Sequence, residues 1–406
     1  MEWQVIGLVM LAAAVAGRDL FSSFALACGG FTLVFVSATA VLARRFLDSR
    51  KRGASAVLPP ITLIKPLKGD EAALYKNLAS FCRQDYPHFQ ILFCLSCADD
   101  PALTTVSRLK REFPAVDLEV VVSSNRIGCN PKVNNMANAY PFAKHDLLLM
   151  SDSDIRVEPG FLRRMAAPFE DPAVGLTTSL YQASGARGLW GLMESLSINA
   201  NFLPQAASAA AFGMRFSMGA AMMVRRRTFE LTGGFQNLAD HLADDFWLGE
   251  SVRAAGWRIE ITEGCVDSIP GIDDGMEHLK HLVRWARTIR LCQPAGFYAS
   301  LIAHGFSLLT LRLIACGPDA AGLFLLAGIW AAKAAASRTI DARLGRRQPP
   351  RALWLLPLSE WFAFLAWLGG SASNTVLWRG ELFTVASQGR LRPIAPLLPR
   401  VLSVEP

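Results

Sequence analysis

Residues 145–158 read HDLLLMSDSDIRVE, an apolar run that stops on two carboxylates, Asp152 and Asp154. A spacing of two on an extended chain turns both side chains to one side. The carboxyl end of a strand is also where open α/β sheets form their ligand crevices. A solvated turn would accept a lone D-x-D equally well, so the pair takes its meaning from what flanks it.

Upstream, ITLIKPL (61–67) is a β-rich run, and GDEAALYKNLASFCRQ after it has the apolar spacing of an amphipathic helix. FQILFCLS repeats the strand signal, and DDPALTTVSRLKREF the helix, with Pro101 near its start. LEVVVSS, PKVNNMANAYPFA and HDLLLMS continue as strand, helix and strand. This alternation predicts an α/β domain, a mostly parallel sheet covered by helices. Acids then stand at two strand ends, Asp99 and Asp100 after the second, Asp152 and Asp154 after the fourth, and a parallel sheet puts both on one edge.

Downstream, a third acidic pair, Asp244 and Asp245, opens the helix-like ADDFWLGESVRAAGW. Capping would explain it, because a helix start favours carboxylates; chemistry would explain it too. In HLVRWARTIR, His281, Arg284, Arg287 and Arg290 recur near helical spacing beside Trp285, as in a basic interfacial helix. Residues 188–226, rich in Met, Phe and small side chains, read as core, as another hydrophobic helix, or as a groove for an apolar ligand. His241 and Trp247, on either side of the acidic pair, are candidates to border a ligand taken up there, as is Asp244.

The chain is 52% hydrophobic over 406 residues with a formal charge of +7, too apolar for an ordinary soluble enzyme and too mixed for a pure membrane bundle. Apolar stretches of about the ~20 residues a bilayer requires lie at the ends: Trp3–Gly17, Phe24–Ala43, Phe297–Cys316, Ala320–Ala336 and Ala352–Gly370. The expected division is residues 1–50 as N-terminal transmembrane segment or segments and 55–295 as the working domain, ending in the interfacial helix. Residues 296–406 then form a C-terminal transmembrane or re-entrant region with a basic tail. Glu2 in place of a basic n-region argues against a cleaved leader. Arg44, Arg45, Arg50, Lys51 and Arg52, and the basic residues between Arg338 and Arg351, place the central domain on the cytoplasmic side of a multi-pass protein. Pro357 and Glu360 in the last stretch leave a crossing and a re-entrant segment both open. Cys94 and Cys97 have no second pair at zinc spacing, and no nucleic-acid motif is present.

KPLKG (65–69), QDYP, DDPA, NPKVNN, DSDIRV, GGF, ADDFWLGE and RWARTIR, in that order, cover nearly all of residues 60–295. Together they resemble inverting glycosyltransferases of the GT-A fold. More narrowly, the chain is similar to the ceramide glucosyltransferase family and its bacterial hopanoid-biosynthesis relatives. The resemblance implies a GT-A domain flanked by transmembrane helices in a bacterial cell (inner) membrane. It implies a UDP-sugar donor, a lipid acceptor and a divalent cation, Mg²⁺ or Mn²⁺. By the same resemblance Asp100, with Asp99 beside it, contacts the nucleoside, and Lys132 belongs to the donor site. Asp152 and Asp154 hold the cation, Asp245 is the general base, and Arg284 and Trp285 end a Q/R-x-x-R-W motif. The chain departs from the ceramide enzymes at Asp154, where they tend to have glycine, and at His281, where the motif expects Gln or Arg. CRQDYP, LADD and GESVRAAG resemble the hopanoid branch, which implies a hopanoid polyol acceptor and an N-acetylglucosamine donor. Ceramide with UDP-glucose, or a processive polysaccharide synthase, are the alternatives.

Overall fold

The computed structural model describes residues 2–49, 58–71, 73–346, 349–378 and 381–394, and side chains from residue 17 onward. Arg50, Lys51, Arg52 and Arg347, which entered the charge argument, lie outside the described residues, as do Arg379 and Arg400 of the basic tail.

The strands are β1 (Ile61–Pro66), β2 (Phe89–Leu95), β3 (Asp117–Val122), β4 (Leu147–Met150), β5 (Ile155–Arg156), β6 (Val174–Ala183), β7 (Met222–Arg225) and β8 (Arg258–Ser268). They form one sheet in the order β3-β2-β1-β4-β7-β6-β8-β5. The first four are parallel, β7 runs antiparallel to both β4 and β6, β6 pairs parallel with β8, and β5 antiparallel with β8. The leucine run makes β4 because both faces of this strand are covered. Leu147 and Leu149 join Phe81 and Val106 on one face, Leu148 and Met150 join Val133 and Met136 on the other. The fold is thus a mixed, mostly parallel sheet between helices, as the alternation predicts.

The N-terminus differs from expectation. Trp3–Gly17 and Phe24–Ala43 are not two segments with a turn between them, but parts of one helix, Glu2–Ser49. Residues 18–23, RDLFSS, contain no Pro or Gly to break it. Among the described residues, helices within Gly17–Asp48, Ala320–Arg343 and Pro350–Ala372 are long and apolar enough to cross a membrane. A fourth candidate, Pro294–Ala303 with Gly305–Cys316, is bent by 52° at His304. Thr32 of the N-terminal helix serves that break. Its hydroxyl donates to Ile302 O (3.2 Å) and accepts from Gly305 N (3.1 Å). Backbone groups freed in an apolar setting need such a partner. A Cβ on Gly305 would lie 2.4 Å from Cys28 O, so the contact requires glycine.

Glu360, the acid that left the last stretch undecided, is buried in an ion pair with Lys333 of the preceding helix. Lys333 Nζ also donates to Asn201 Oδ1 at 2.7 Å, and Asn201 Nδ2 to Ser359 Oγ at 3.3 Å. Asn201 sits in a single π-helical turn, Ser197–Phe202, between helices Gly188–Leu196 and Leu203–Ala211. Of the Met- and Ala-rich stretch, residues 188–211 are thus helical, with the last of these helices packed on the N-terminal helix, while Met222–Arg225 form β7.

The basic tail forms a second, antiparallel sheet from β9 (Thr375–Trp378), β10 (Glu381–Val385) and β11 (Leu391–Pro393). It docks on the loop before the third acidic pair, with Leu242 N donating to Gly389 O (3.0 Å) and Leu391 N to Asp240 O (2.7 Å).

Candidate functional site

Register brings the acids together. Ile64 of β1 and Met222 of β7 both pair with Met150, so the segments following β4 and preceding β7 lie side by side. Ser151 Oγ donates to Ala220 O at 2.7 Å. After Met150 the chain turns instead of staying extended, so Asp152 and Asp154 do not share one set of partners. Asp152 Oδ1 is 2.8 Å from Lys132 Nζ. Asp154 Oδ2 accepts from Ser268 Oγ at the end of β8 (2.9 Å). Burial raises the Asp154 carboxyl above its usual range, and the Asp152 charge raises it further.

NPK places the lysine. Asn130 Oδ1 caps helix Pro131–Ala139 by accepting from Lys132 N (2.9 Å) and Val133 N (3.1 Å), with proline in the first turn. Asn130 Nδ2 donates to His241 O (2.8 Å), and the Gly128 backbone passes so close to Ala239 that a Cβ would lie 2.6 Å from its carbonyl. These contacts aim Lys132 at the third pair, 3.2 Å from Asp244 Oδ2. Burial alone would lower the Lys132 ammonium, but Asp152, Asp244 and Asp245 raise it well above the ordinary value.

Asp244 does not cap helix Asp244–Ala254; it is buried against Lys132. Burial pushes its carboxyl up to about 6 against the pull of Lys132. Asp245 accepts from Gly219 N (2.7 Å) and Phe246 N (2.8 Å). Gly219 is a residue sequence reasoning passes over. A Cβ there would stand 3.3 Å from both Asp245 Oδ2 and Lys132 Nζ and 3.4 Å from Asp152 Oδ2. Gly219→Ala is therefore expected to spread this junction and weaken nucleotide affinity by about tenfold (~1.4 kcal/mol) with little change in thermal midpoint. Unchanged affinity in a binding titration would show that the junction tolerates a methyl.

Asp100 is buried, and its Oδ1 accepts from Gly69 N and Ala102 N, both at 2.9 Å; Asp99 is exposed. Two further residues emerge only in three dimensions. Lys65, fully buried over the Phe81 ring, donates to Asp152 O (2.6 Å) and Ser151 Oγ (3.2 Å) under the D-S-D turn. Burial lowers its ammonium to about 7, against the charges of Asp154, Asp152 and Glu71. Tyr181 of β6 stacks on Phe202 at 4.8 Å. Its phenol is held well above the usual value by burial, then by Asp245, Asp154, Glu194 and Asp152, so it stays a neutral donor.

A cavity of about 840 Å³ adjoins this cluster. Asp154 and Glu71 lie on one wall; Met276, His281 and Arg284 of the basic helix, Gly275–Cys292, lie on another. Trp285 faces Phe202 and His281, with ring centroids 6.1 and 4.7 Å away. Of the cationic candidates Arg287 and Arg290, Arg287 borders the cavity and Arg290 does not, and both guanidinium groups are engaged by backbone. They donate to the carbonyls of Gly369 and Thr375, and of Gly370 and Ser373, in the last turn of helix Leu356–Ala372 and just beyond it, where the helix dipole favours cations. His241 and Trp247 stack at 4.6 Å, and His241 Nδ1 lies 3.2 Å from Gln388 O. They hold the small sheet and do not line this cavity.

Ceramide glucosyltransferase 1 of Caenorhabditis elegans is 27% identical over 206 residues, 50% of this chain and 44% of that protein. The ceramide glucosyltransferase of Gibberella zeae is 30% identical over 207 residues, 47% and 37% of the two chains. The chain thus spans about half the length, or less, of these curated relatives. In fold it is similar to a Pyrobaculum calidifontis mannosyltransferase solved with GDP-Man and Mn²⁺, at TM-score 0.52 and 14% identity, over 87% of this chain and 99% of that one. The profile of glycosyl transferase family 21 matches residues 24–391, nearly the whole length over which sheet, acids and apolar helices are arranged, and the chain belongs to that family.

Proposed function

We propose that this protein moves one sugar from a UDP-sugar to a hydroxyl group of a membrane lipid, with inversion at the anomeric carbon. One observation carries the reading. Lys132 is held between Asp152 and Asp244, next to Asp245, at the carboxyl end of the parallel strands, and the adjoining cavity is walled by a helix that packs on the apolar C-terminal helix. Asp245 takes the acceptor's proton as its oxygen attacks. Asp99 and Asp100 bind the nucleoside, while Lys132, His281, Arg284 and Trp285 form the donor side. His241 and Trp247 enter the acceptor side only through the loop they brace, and Asp244 acts through Lys132.

Asp152 and Asp154 fit a divalent cation, Mg²⁺ or Mn²⁺. They are hard oxygen donors whose charges repel, and burial already raises Asp154. Among the described residues no three His, Cys, Asp or Glu side chains form a metal cage, so water and substrate phosphates would have to complete the shell. Such a cation supplies positive charge to the diphosphate as it departs. Asp152→Ala or Asp154→Ala is expected to weaken UDP binding at least about tenfold in the presence of Mn²⁺ and to abolish transfer. Transfer that survives full chelation would remove the cation from the reading.

The hopanoid-branch motifs support a hopanoid polyol acceptor and UDP-N-acetylglucosamine. The names of the curated relatives support ceramide and UDP-glucose as the second reading. Arg44 and Arg45 at the end of the N-terminal helix support a cytoplasmic catalytic domain in a bacterial cell membrane. The deciding experiment offers labelled UDP-sugars to membranes containing the protein and analyses extracted lipids by mass spectrometry. A single added hexosamine on a polyol hopanoid supports the first reading, a hexose on ceramide the second. A polymer, or no lipid adduct, overturns both.

A further inference from the structure

Glu194, on helix Gly188–Leu196, is a carboxylate with 3% of its side chain exposed and two imidazoles against it. Oε2 is 2.8 Å from His278 Nδ1 and Oε1 is 3.1 Å from His281 Nδ1. Neither histidine is near it in sequence, and a buried carboxylate persists only with partners.

The two imidazoles are not equivalent. His278 has no exposed side-chain surface, and its Nε2 lacks a hydrogen-bond partner among the described residues, lying in a contact with Trp190 and Phe362. An N–H buried there would be costlier than a bare ring nitrogen. His278 is therefore neutral and donates from Nδ1, which leaves the carboxylate's charge to His281. His281 has 24% of its side chain exposed and lines the cavity. With Nδ1 turned to Glu194, its other nitrogen, Nε2, is the one available to a cavity ligand.

We infer that Glu194 is a positioning residue that keeps His281 an imidazolium on the cavity wall. The pair thereby supplies, with Arg284, the cationic hold on the donor diphosphate where the motif would otherwise have Gln or Arg. The inference rests on the UDP-sugar reading of the same cavity. A hydrogen bond between an ionised donor and a phosphate oxygen is roughly twice as strong as a neutral one, so the charge on this ring matters more than its bulk. In keeping with this, and in spite of burial, the two imidazoles against Glu194 hold its carboxyl below the ordinary range.

On its own helix His281 has Glu277 one turn before it, with His278, Lys280, Arg284 and Arg287, and Glu71 and Asp154 face it across the cavity. Helix Leu356–Ala372 brings Phe362 to this contact, while its Glu360 is turned to Lys333. Of the segments at the far end, Ser387–Gly389 is uncharged, and the Tyr298 phenol of Pro294–Ala299 packs on Trp367. Glu194 is thus the one carboxylate in ion-pair contact with the ring among the described residues.

The test measures UDP affinity of the purified full chain with Mg²⁺, at about pH 6 and about pH 8, either side of the ordinary histidine range. Glu194→Gln keeps the shape and removes the charge. It is expected to bind UDP about tenfold more weakly than wild type at the higher pH and to approach wild type at the lower, one pKa unit being tenfold. His281→Arg, a permanent cation, should bind like wild type at both and make Glu194→Gln silent in the double variant. Equal weakening of Glu194→Gln at both pH values would reduce Glu194 to a structural role and overturn the inference, as would unchanged affinity. If Glu194→Gln does not fold, His281→Gln against His281→Arg at the higher pH decides, and equal affinity overturns it. Wild type that binds no UDP under any condition overturns the proposed function itself.

Discussion

Asp245→Asn is expected to bind the UDP-sugar with near-native affinity while turnover falls roughly 10²-fold or more, the scale for losing general-base help. The substitution keeps the shape and one acceptor oxygen, for either Gly219 N or Phe246 N, the two backbone donors that in the native side chain use Oδ2 and Oδ1 respectively. What it removes is basicity. Asp244→Asn should act differently, because Asp244 is no helix cap but half of the carboxylate pair around Lys132. Neutralising it removes one anion from a buried ammonium and should weaken donor affinity more than turnover. Measuring affinity and initial rate on the same preparations separates the two. Lost turnover in Asp244→Asn with near-normal turnover in Asp245→Asn would move the base by one residue. If both variants turn over normally, this acidic pair is not chemical.

Lys333→Ala should lower stability by about 3–5 kcal/mol, the cost of leaving a buried carboxylate without its cation. Both partners are buried, Glu360 has no other cation in ion-pair contact among the described residues, and Asn201 loses the ammonium as well. The Lys333→Ala, Glu360→Ala double variant should recover part of the loss, because it removes the stranded charge together with its partner. Thermal unfolding in detergent, followed for both variants, reads the difference. A single variant as stable as wild type would mean that water or lipid headgroups reach Glu360.

β1 to β4 are legible because each is a short apolar run bounded by turn residues, with alternate side chains committed to opposite layers. β6 and β8 are harder to read. VGLTTSLYQA contains buried threonines whose hydroxyls are satisfied by backbone carbonyls, Thr177 by Met165 and Thr178 by Ala221, so polarity in the sequence conceals a core strand. The small C-terminal sheet was hidden by its basic charge and by its partner loop, which lies far upstream. The unbroken N-terminal helix shows the reverse difficulty: hydropathy marks where a helix is apolar, not where it ends.

The candidate site divides the same way. Asp152, Asp154, Asp245 and Lys132 stand in short motifs whose local geometry, strand end or helix start, is visible along the chain. Tyr181, Glu194 and Gly219 carry no such signal, and Lys65, though it opens KPLKG, lies within β1, where nothing along the chain ties it to the acids. Glu194 acquires meaning only when His278, 84 residues later, folds against it. Gly219 does so only when β7 aligns Met222 with Met150. For Gly219, the run of small residues before β7 is the one hint, and it is shared with ordinary tight packing.

The docking of β11 on the Asp240–Leu242 loop sets an order on synthesis. Domains take shape from the amino end as the chain emerges, yet the loop leading to Asp244 and Asp245 receives its backbone partners from Gly389 and Leu391. Those residues are made after both C-terminal apolar helices, Ala320–Arg343 and Leu356–Ala372. A nascent chain paused before them has its sheet and its D-S-D turn but lacks the brace beneath its third acidic pair. The contacts that brace the third acidic pair are therefore completed only after the apolar helices of the described residues have all been made.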